Sequence, residues 1–174
     1  MAKTTKDQQR LDEEKVLAEL QRNAKENLET IAQHCGFSRQ KTWRIIKDLE
    51  DDKKIWGYSA ILDYEKQGLQ KFLLFFKRSN KPLSTGEIDE ITHTRLEKIK
   101  QDLGIIVLSS YRIHGEYDWV TLFTAKDIMA AKKFSEALIQ RFSGAHTLQM
   151  SQVLFTVREH CIENPKILDI QNHL

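Results

Sequence analysis

The chain has 174 residues, a formal net charge of +2 and 30% charged residues, and 40% of it is hydrophobic. That length suits one medium domain or two small ones, with enough apolar content for folded cores. The net charge is too small for wholesale polyanion binding, so any such binding must come from local charge. No apolar run reaches the ~18 residues that would cross a membrane.

Residues 1–10 (MAKTTKDQQR) read as a polar arm with no apolar signal core, so the chain is expected to stay in the cytoplasm. Asp12 then offers an N-cap, and Glu13 and Glu14 suit the positive end of a helix dipole. Val16, Leu17 and Leu20 give this first helix its apolar stripe. Residues 23–27 form a loop, and Asn27 can cap a second helix with Leu28, Ile31, Ala32 and Cys35 on one face. Gly36 ends that helix and Ser38 caps a third at once. Two helices joined by a short glycine turn make a helix-turn-helix.

The third helix separates cleanly on a wheel. Thr42, Ile45, Ile46 and Leu49 fall on one side, and Gln40, Trp43, Arg44 and Lys47 on the other. The core face is complete without the tryptophan, which leaves a large aromatic near solvent. Between Phe37 and Lys47 the only charges are Arg39, Lys41, Arg44 and Lys47. Acids return at Asp48, Glu50, Asp51 and Asp52.

Beyond Lys54 the pattern turns extended. Residues 55–62 (IWGYSAIL) read as a strand or connecting ribbon, and 71–78 (KFLLFFKR) as a strand. Ser84 with Glu87 makes a capping box, and Ile88, Ile91, Ile99 and Leu103 fit a helix ending at Gly104. Strands follow at 105–113 and 117–125, around a turn at 114–116. Asp127 caps a helix carrying Ile128, Ala131, Phe134, Leu138 and Phe142, and 148–157 is a last strand. The predicted fold class is α+β: a winged-type helix-turn-helix of three helices, then a βαββαβ ferredoxin-like domain. The expected boundaries are an arm at 1–10, the helix-turn-helix at 11–54, a linker at 55–70, the second domain at 71–162 and a tail at 163–174, with a helical turn after Pro165. Residues 72–76 are apolar on both faces of their strand, and 119–123 nearly so. One copy cannot cover both faces, so the open sheet faces are expected to pair in a homodimer.

These residues resemble the Lrp/AsnC family, the feast/famine transcription regulators. The resemblance rests on Leu11-Asp12, the pair Leu17 and Leu20, Ile31-Ala32, the Gly36-x-Ser38 turn, Leu49-Glu50 and Ile55-x-Gly57-Tyr58. In the second half Gly115-Glu116-Tyr117-Asp118 looks like the family's G-x-Y-D loop, and the likeness spans about residues 11–160. The chain departs at Ile45, where the family usually has Arg, in the longer segment 79–95, and in the tail. The resemblance implies a ligand-sensing second domain, an amino-acid effector bound near the loop at contacts between dimers, and assemblies from dimers upward.

A helix with this face fits the major groove of double-stranded DNA. Gln40, Trp43 and Arg44 are placed to reach bases or sugars, and Ser38 opens the helix at the groove. Arg39, Lys41 and Lys47 are placed on phosphates, where they release counterions. The plainer reading is a solvated basic face, with Trp43 packing against another domain. In the turn at 114–118, His114, Gly115, Glu116, Tyr117 and Asp118 are the candidate effector site. Glycine lets a ligand approach the backbone, turn N–H groups suit a carboxylate, and Asp118 suits an ammonium. The plainer reading there is an ordinary hairpin.

Cys35 and Cys161 match no metal or redox spacing, the six histidines are scattered, and no phosphate loop or catalytic triad is present. No enzyme, cofactor or metal is expected. The functional expectation is a sequence-specific DNA-binding regulator responsive to a small effector, an amino acid foremost. The alternatives are an architectural DNA-binding protein, or a sensing adaptor whose helix-turn-helix binds protein.

Overall fold

The computed structural model describes residues 2–78, 85–86, 97–141 and 145–173. The chain divides into two compact units: residues up to Ile61 together with Val157–Asn172, and Leu62–Thr156. The proposed cap at Ser84 and Glu87, the positions Ile88 and Ile91, Phe142 and the segment 79–84 lie outside the described residues.

The first unit holds helices α1 (Ala2–Arg22), α2 (Leu28–Cys35) and α3 (Arg39–Asp51). Val16, Ile31, Cys35 and Leu49 are buried in one cluster, with Leu17, Leu20, Phe37, Ile45, Ile46 and Ile55 packed against it. The expected stripes of all three helices therefore meet. The start of α1 is corrected: the helix runs from Ala2, so residues 2–10 are helical and Asp12 is no N-cap. Asp12 falls four residues before Val16, on the stripe that turns inward, and is itself buried. Residues 55–62 form neither strand nor helix. Farther on, β5 (Arg158–Glu159) and β6 (Ile162–Glu163) make a small antiparallel hairpin, and a 3-10 helix covers Ile167–His173.

The second unit is a four-stranded antiparallel sheet of β1 (Gln70–Arg78), β2 (Ile106–Arg112), β3 (Trp119–Ala125) and β4 (Ala145–Gln152), in the order β2-β3-β1-β4. Helices α4 (Glu97–Leu103) and α5 (Ile128–Arg141) complete the βαββαβ order. The last strand ends at Gln152, five residues short of the expected Val157.

Register sets the two faces of the sheet. Phe72 lies opposite Phe123, and their rings stack at 5.6 Å between centroids. Both join Leu74, Ala131, Phe134 and Leu138 in the core beneath α5. Residues one place along point the other way. Leu73 faces Leu122, Phe75 faces Val120, and Tyr111 faces Val120 from the far side. Among the described residues the helix positions of the core cluster pack on the first face, and on the second Ile106 is 47% and Tyr111 56% exposed.

Candidate nucleic-acid interface

The turn between α2 and α3 is built by two backbone hydrogen bonds. Gly36 N–H donates to Gln33 and Phe37 N–H to Ala32, at 3.1 and 2.9 Å. This double closure needs a left-handed residue at Gly36, which has φ +71°. Phe37 then packs on the core, and α3 begins at once. Ser38 Oγ accepts from Lys41 N–H at 3.2 Å, as Asn27 Oδ1 accepts from Thr30 N–H at 2.9 Å on α2. Both sequence-predicted caps are in place.

On α3, Thr42 and Leu49 are fully buried and Ile45 and Ile46 half-buried. Gln40, Trp43, Arg44 and Lys47 all face solvent. Trp43 is 54% exposed. Lys47 Nζ sits 5.3 Å from the centre of its ring, a cation–π contact that gathers an aromatic and a cation on one spot. Among the described residues Arg39 and Arg44 have no ion-pair partner, so their donors point outward unspent. Ser38 and Arg39 are exposed beside them.

Lys41 differs from its neighbours. Its ammonium lies 2.6 Å from Asp12 Oδ2 on α1 and 4.0 Å from the centre of the Phe37 ring. The lysine beside it and a hydrogen bond from Gln8 hold the Asp12 carboxyl below the usual carboxylate range, against its burial. Glu13, the next residue, pairs with Lys54 at 2.6 Å, and Glu13 raises the Lys54 ammonium above its ordinary range. Sequence reasoning missed both acids as functional candidates. The available signal was Asp12 itself, a carboxylate on an apolar stripe that must find a cation.

At the C-terminal end of α3 the acids turn to other work. Glu50 accepts from the Tyr58 hydroxyl at 2.9 Å. Burial and then Glu50 push the Tyr58 phenol up to about 12.

The second candidate site is the β2–β3 hairpin. Ile113 N–H donates to the Asp118 carbonyl at 3.0 Å, and Asp118 N–H to the Phe76 carbonyl at 2.9 Å. The first bond closes a loop of His114, Gly115 and Glu116, all exposed, and the second ties the base of that loop to β1. Gly115 has φ +155°, which side-chain-bearing residues rarely adopt, and a Cβ there would meet no heavy atom within 4 Å. Tyr117 and Asp118 are half-buried at the loop's base. The Tyr117 hydroxyl donates to Gln149 Oε1 on β4, and its ring lies 5.3 Å from Phe75. The five loop residues therefore sit together at one end of the sheet.

Residues 13–55 match the family model described as winged helix-turn-helix DNA-binding. The DNA-binding transcriptional activator DecR of Escherichia coli K12 is 26% identical over 148 residues, covering 82% of this chain and 91% of that protein. A transcriptional regulator from Neisseria meningitidis in complex with L-Met superposes with TM-score 0.66 at 20% identity, over 86% of this chain and 92% of that one. The leucine response regulatory protein LrpA of Mycobacterium tuberculosis gives TM-score 0.65 at 21% identity, over 86% and 94%. An AsnC family regulator from Agrobacterium tumefaciens gives 0.65 at 19%, over 89% and 96%. The resemblance read from the motifs thus extends to the fold: the chain has the AsnC/Lrp-type architecture across both units.

Proposed function

We propose that this chain, with its AsnC/Lrp-type fold, is a sequence-specific DNA-binding transcriptional regulator. The observation that carries this reading is the outward face of α3. Gln40, Trp43, Arg44 and Lys47 are exposed together on a helix held by Ser38 and the Gly36 turn. Arginine suits guanine and glutamine suits adenine in the major groove, the indole suits a thymine methyl, and Arg39 and Lys47 suit phosphates. The winged helix-turn-helix match over this segment and the likeness to DecR support the same assignment.

The test is binding of the purified chain to the DNA upstream of its own gene against random DNA of equal length, at low and near-physiological salt. Preference for the upstream fragment, weakening as salt rises, is the expected result. Equal binding to both fragments makes the protein architectural. No binding at low salt leaves the protein-adaptor reading.

We infer further that the hairpin 114–118 takes a small effector, an amino acid foremost. Gly115 leaves its backbone open to a ligand, and turn N–H groups suit a carboxylate while Asp118 suits an ammonium. The complex of the Neisseria relative with L-Met supports this class of ligand. An Asp118→Ala variant that keeps every amino-acid-dependent change in DNA binding overturns it. The acting form is a homodimer joined through the open sheet face, free to assemble further, and it works without an enzymatic step.

A further inference from the structure

Two consecutive residues of α1 hold α3 at its two ends. Asp12 pairs with Lys41 in the first turn of α3, and Glu13 with Lys54 just past its last turn, each at 2.6 Å. The two lysines branch from opposite ends of α3, a helix of 13 residues and about 20 Å, and their side chains reach back to neighbouring acids. Lys54 moves with the helix, because its N–H donates to the Leu49 carbonyl at 2.9 Å. In each pair the acid is largely buried, with side chains 11% and 13% exposed, while the lysine is about half exposed. Asp12 also accepts from Gln8 at 3.0 Å, and Lys41 lies over the Phe37 ring of the turn.

We propose that Asp12 and Glu13 are positioning residues for the DNA-reading helix, and that Lys41 serves this pair instead of a phosphate. The inference deepens the DNA-binding reading and rests on it. Asp12–Lys41 fixes the end of α3 that enters the groove, and Glu13–Lys54 fixes the end that leaves it. Together they set the tilt at which Gln40, Trp43 and Arg44 meet the bases. Small errors in that tilt degrade several base contacts at once, whereas a phosphate contact acts alone.

The sign of one substitution separates this from simple electrostatics. Removing an acid close to a polyanion strengthens binding if charge alone matters. A positioning acid gives the opposite result. In the full-length protein, Asp12→Asn is expected to weaken binding to the preferred DNA roughly tenfold, as expected when one partner of a shielded pair is removed. Lys41→Met is expected to weaken it equally, the double variant no further, and none to alter the slope of log affinity against log salt. The exchange D12K/K41D is expected to recover most of the loss. Urea unfolding of each variant establishes that the assayed protein is folded, and the exchange decides the matter where Asp12→Asn alone is too unstable. Tighter binding by Asp12→Asn overturns the proposal. So does a slope reduced by about 0.9 in Lys41→Met, the mark of a lost phosphate contact. An exchange variant as weak as the singles overturns it also. Failure of the unchanged protein to bind any DNA at low salt removes the DNA reading itself, and this inference with it.

Discussion

Lys47 Nζ stands 5.3 Å from the centre of the Trp43 ring, one turn of α3 apart, on the face that the core leaves free. The pair explains why a tryptophan is tolerated at 54% exposure: its ring is partly covered by an alkyl stem and a cation. It also presents a flat apolar surface and a positive charge to the same few ångströms of a ligand. Lys47→Ala is expected to reduce the salt slope of DNA binding by about 0.9 and to weaken all sequences alike. Arg44→Ala is expected to cost about 1–3 kcal/mol on the preferred site and to relax preference at one base position. Binding titrations on matched and mismatched duplexes, at several salt concentrations, distinguish the two. A uniform loss from Arg44→Ala would place it on the backbone.

Stability of the helix-turn-helix depends on two residues that touch little. Gly36→Ala forces a Cβ into φ +71°, where the turn has space but the backbone is strained. A loss of roughly 1 kcal/mol is expected. Ser38→Ala removes the cap to Lys41 N–H and is expected to cost about 1 kcal/mol. Urea unfolding followed by circular dichroism measures both. Ser38→Asp should retain the capping bond, and a loss equal to that of alanine would show that the hydroxyl matters for another reason.

What the sequence made legible followed range. Asn27, Gly36, Ser38 and Asp127 act on backbone groups within four residues, and each does what its residue type predicts. The wheel of α3 was equally readable, since Thr42 and Leu49 bury where the period puts them. Asp12 was misread because an acid before an apolar stripe looks like a cap when its partner, Lys41, lies 29 residues away. The end of β4 was overrun for a related reason. Residues 153–157 keep the apolar alternation of a strand, but the β1–β4 ladder runs only from Phe72 opposite Gln152. The hairpin of β5 and β6 carries no apolar period in its two-residue strands and left no sign.

Thr124 lies opposite Lys71 in β3, fully buried, and its hydroxyl has no hydrogen-bond partner among the described residues. A buried donor left unmade costs more than an apolar group of the same shape. Thr124→Val keeps the volume and the β-branch. It is expected to raise stability by about 1 kcal/mol in thermal or urea unfolding. A destabilised valine variant would mean that the hydroxyl does have a partner in solution.

Tyr58 gives a pH signature. Its phenol is pushed from the ordinary 10.0 up to about 12, first by burial and then by Glu50, to which it donates. The folded state therefore holds this proton more tightly than the unfolded chain. Its contribution to stability is fully present below pH 10 and is lost as pH rises from there through about 12. Phenolate absorbance during alkaline titration should show a late step that is missing in Tyr58→Phe. The same variant should unfold over a shallower pH range between those limits. A late step that persists in Tyr58→Phe would assign it to one of the other three tyrosines, Tyr64, Tyr111 and Tyr117.

The open face of the sheet supplies the last prediction. Leu73 and Leu122 face each other at its centre, flanked by Phe75 and Val120, with Ile106 and Tyr111 exposed toward the β2 edge. The core cluster engages the opposite face through Phe72, Leu74 and Phe123, so burying the open face requires material beyond these helices. A second copy offers the same apolar surface in a self-complementary arrangement. Leu122→Lys places a charge in the middle of that surface while leaving the Phe72–Phe123–Phe134 core untouched. Sedimentation velocity is expected to show a dimer for the unchanged protein and a monomer for the variant. DNA binding should weaken with it, because one copy presents one α3 where a dimer presents two to half-sites about one helical turn apart. A variant that stays dimeric would move the interface elsewhere. One that becomes monomeric yet binds DNA unchanged would separate assembly from recognition.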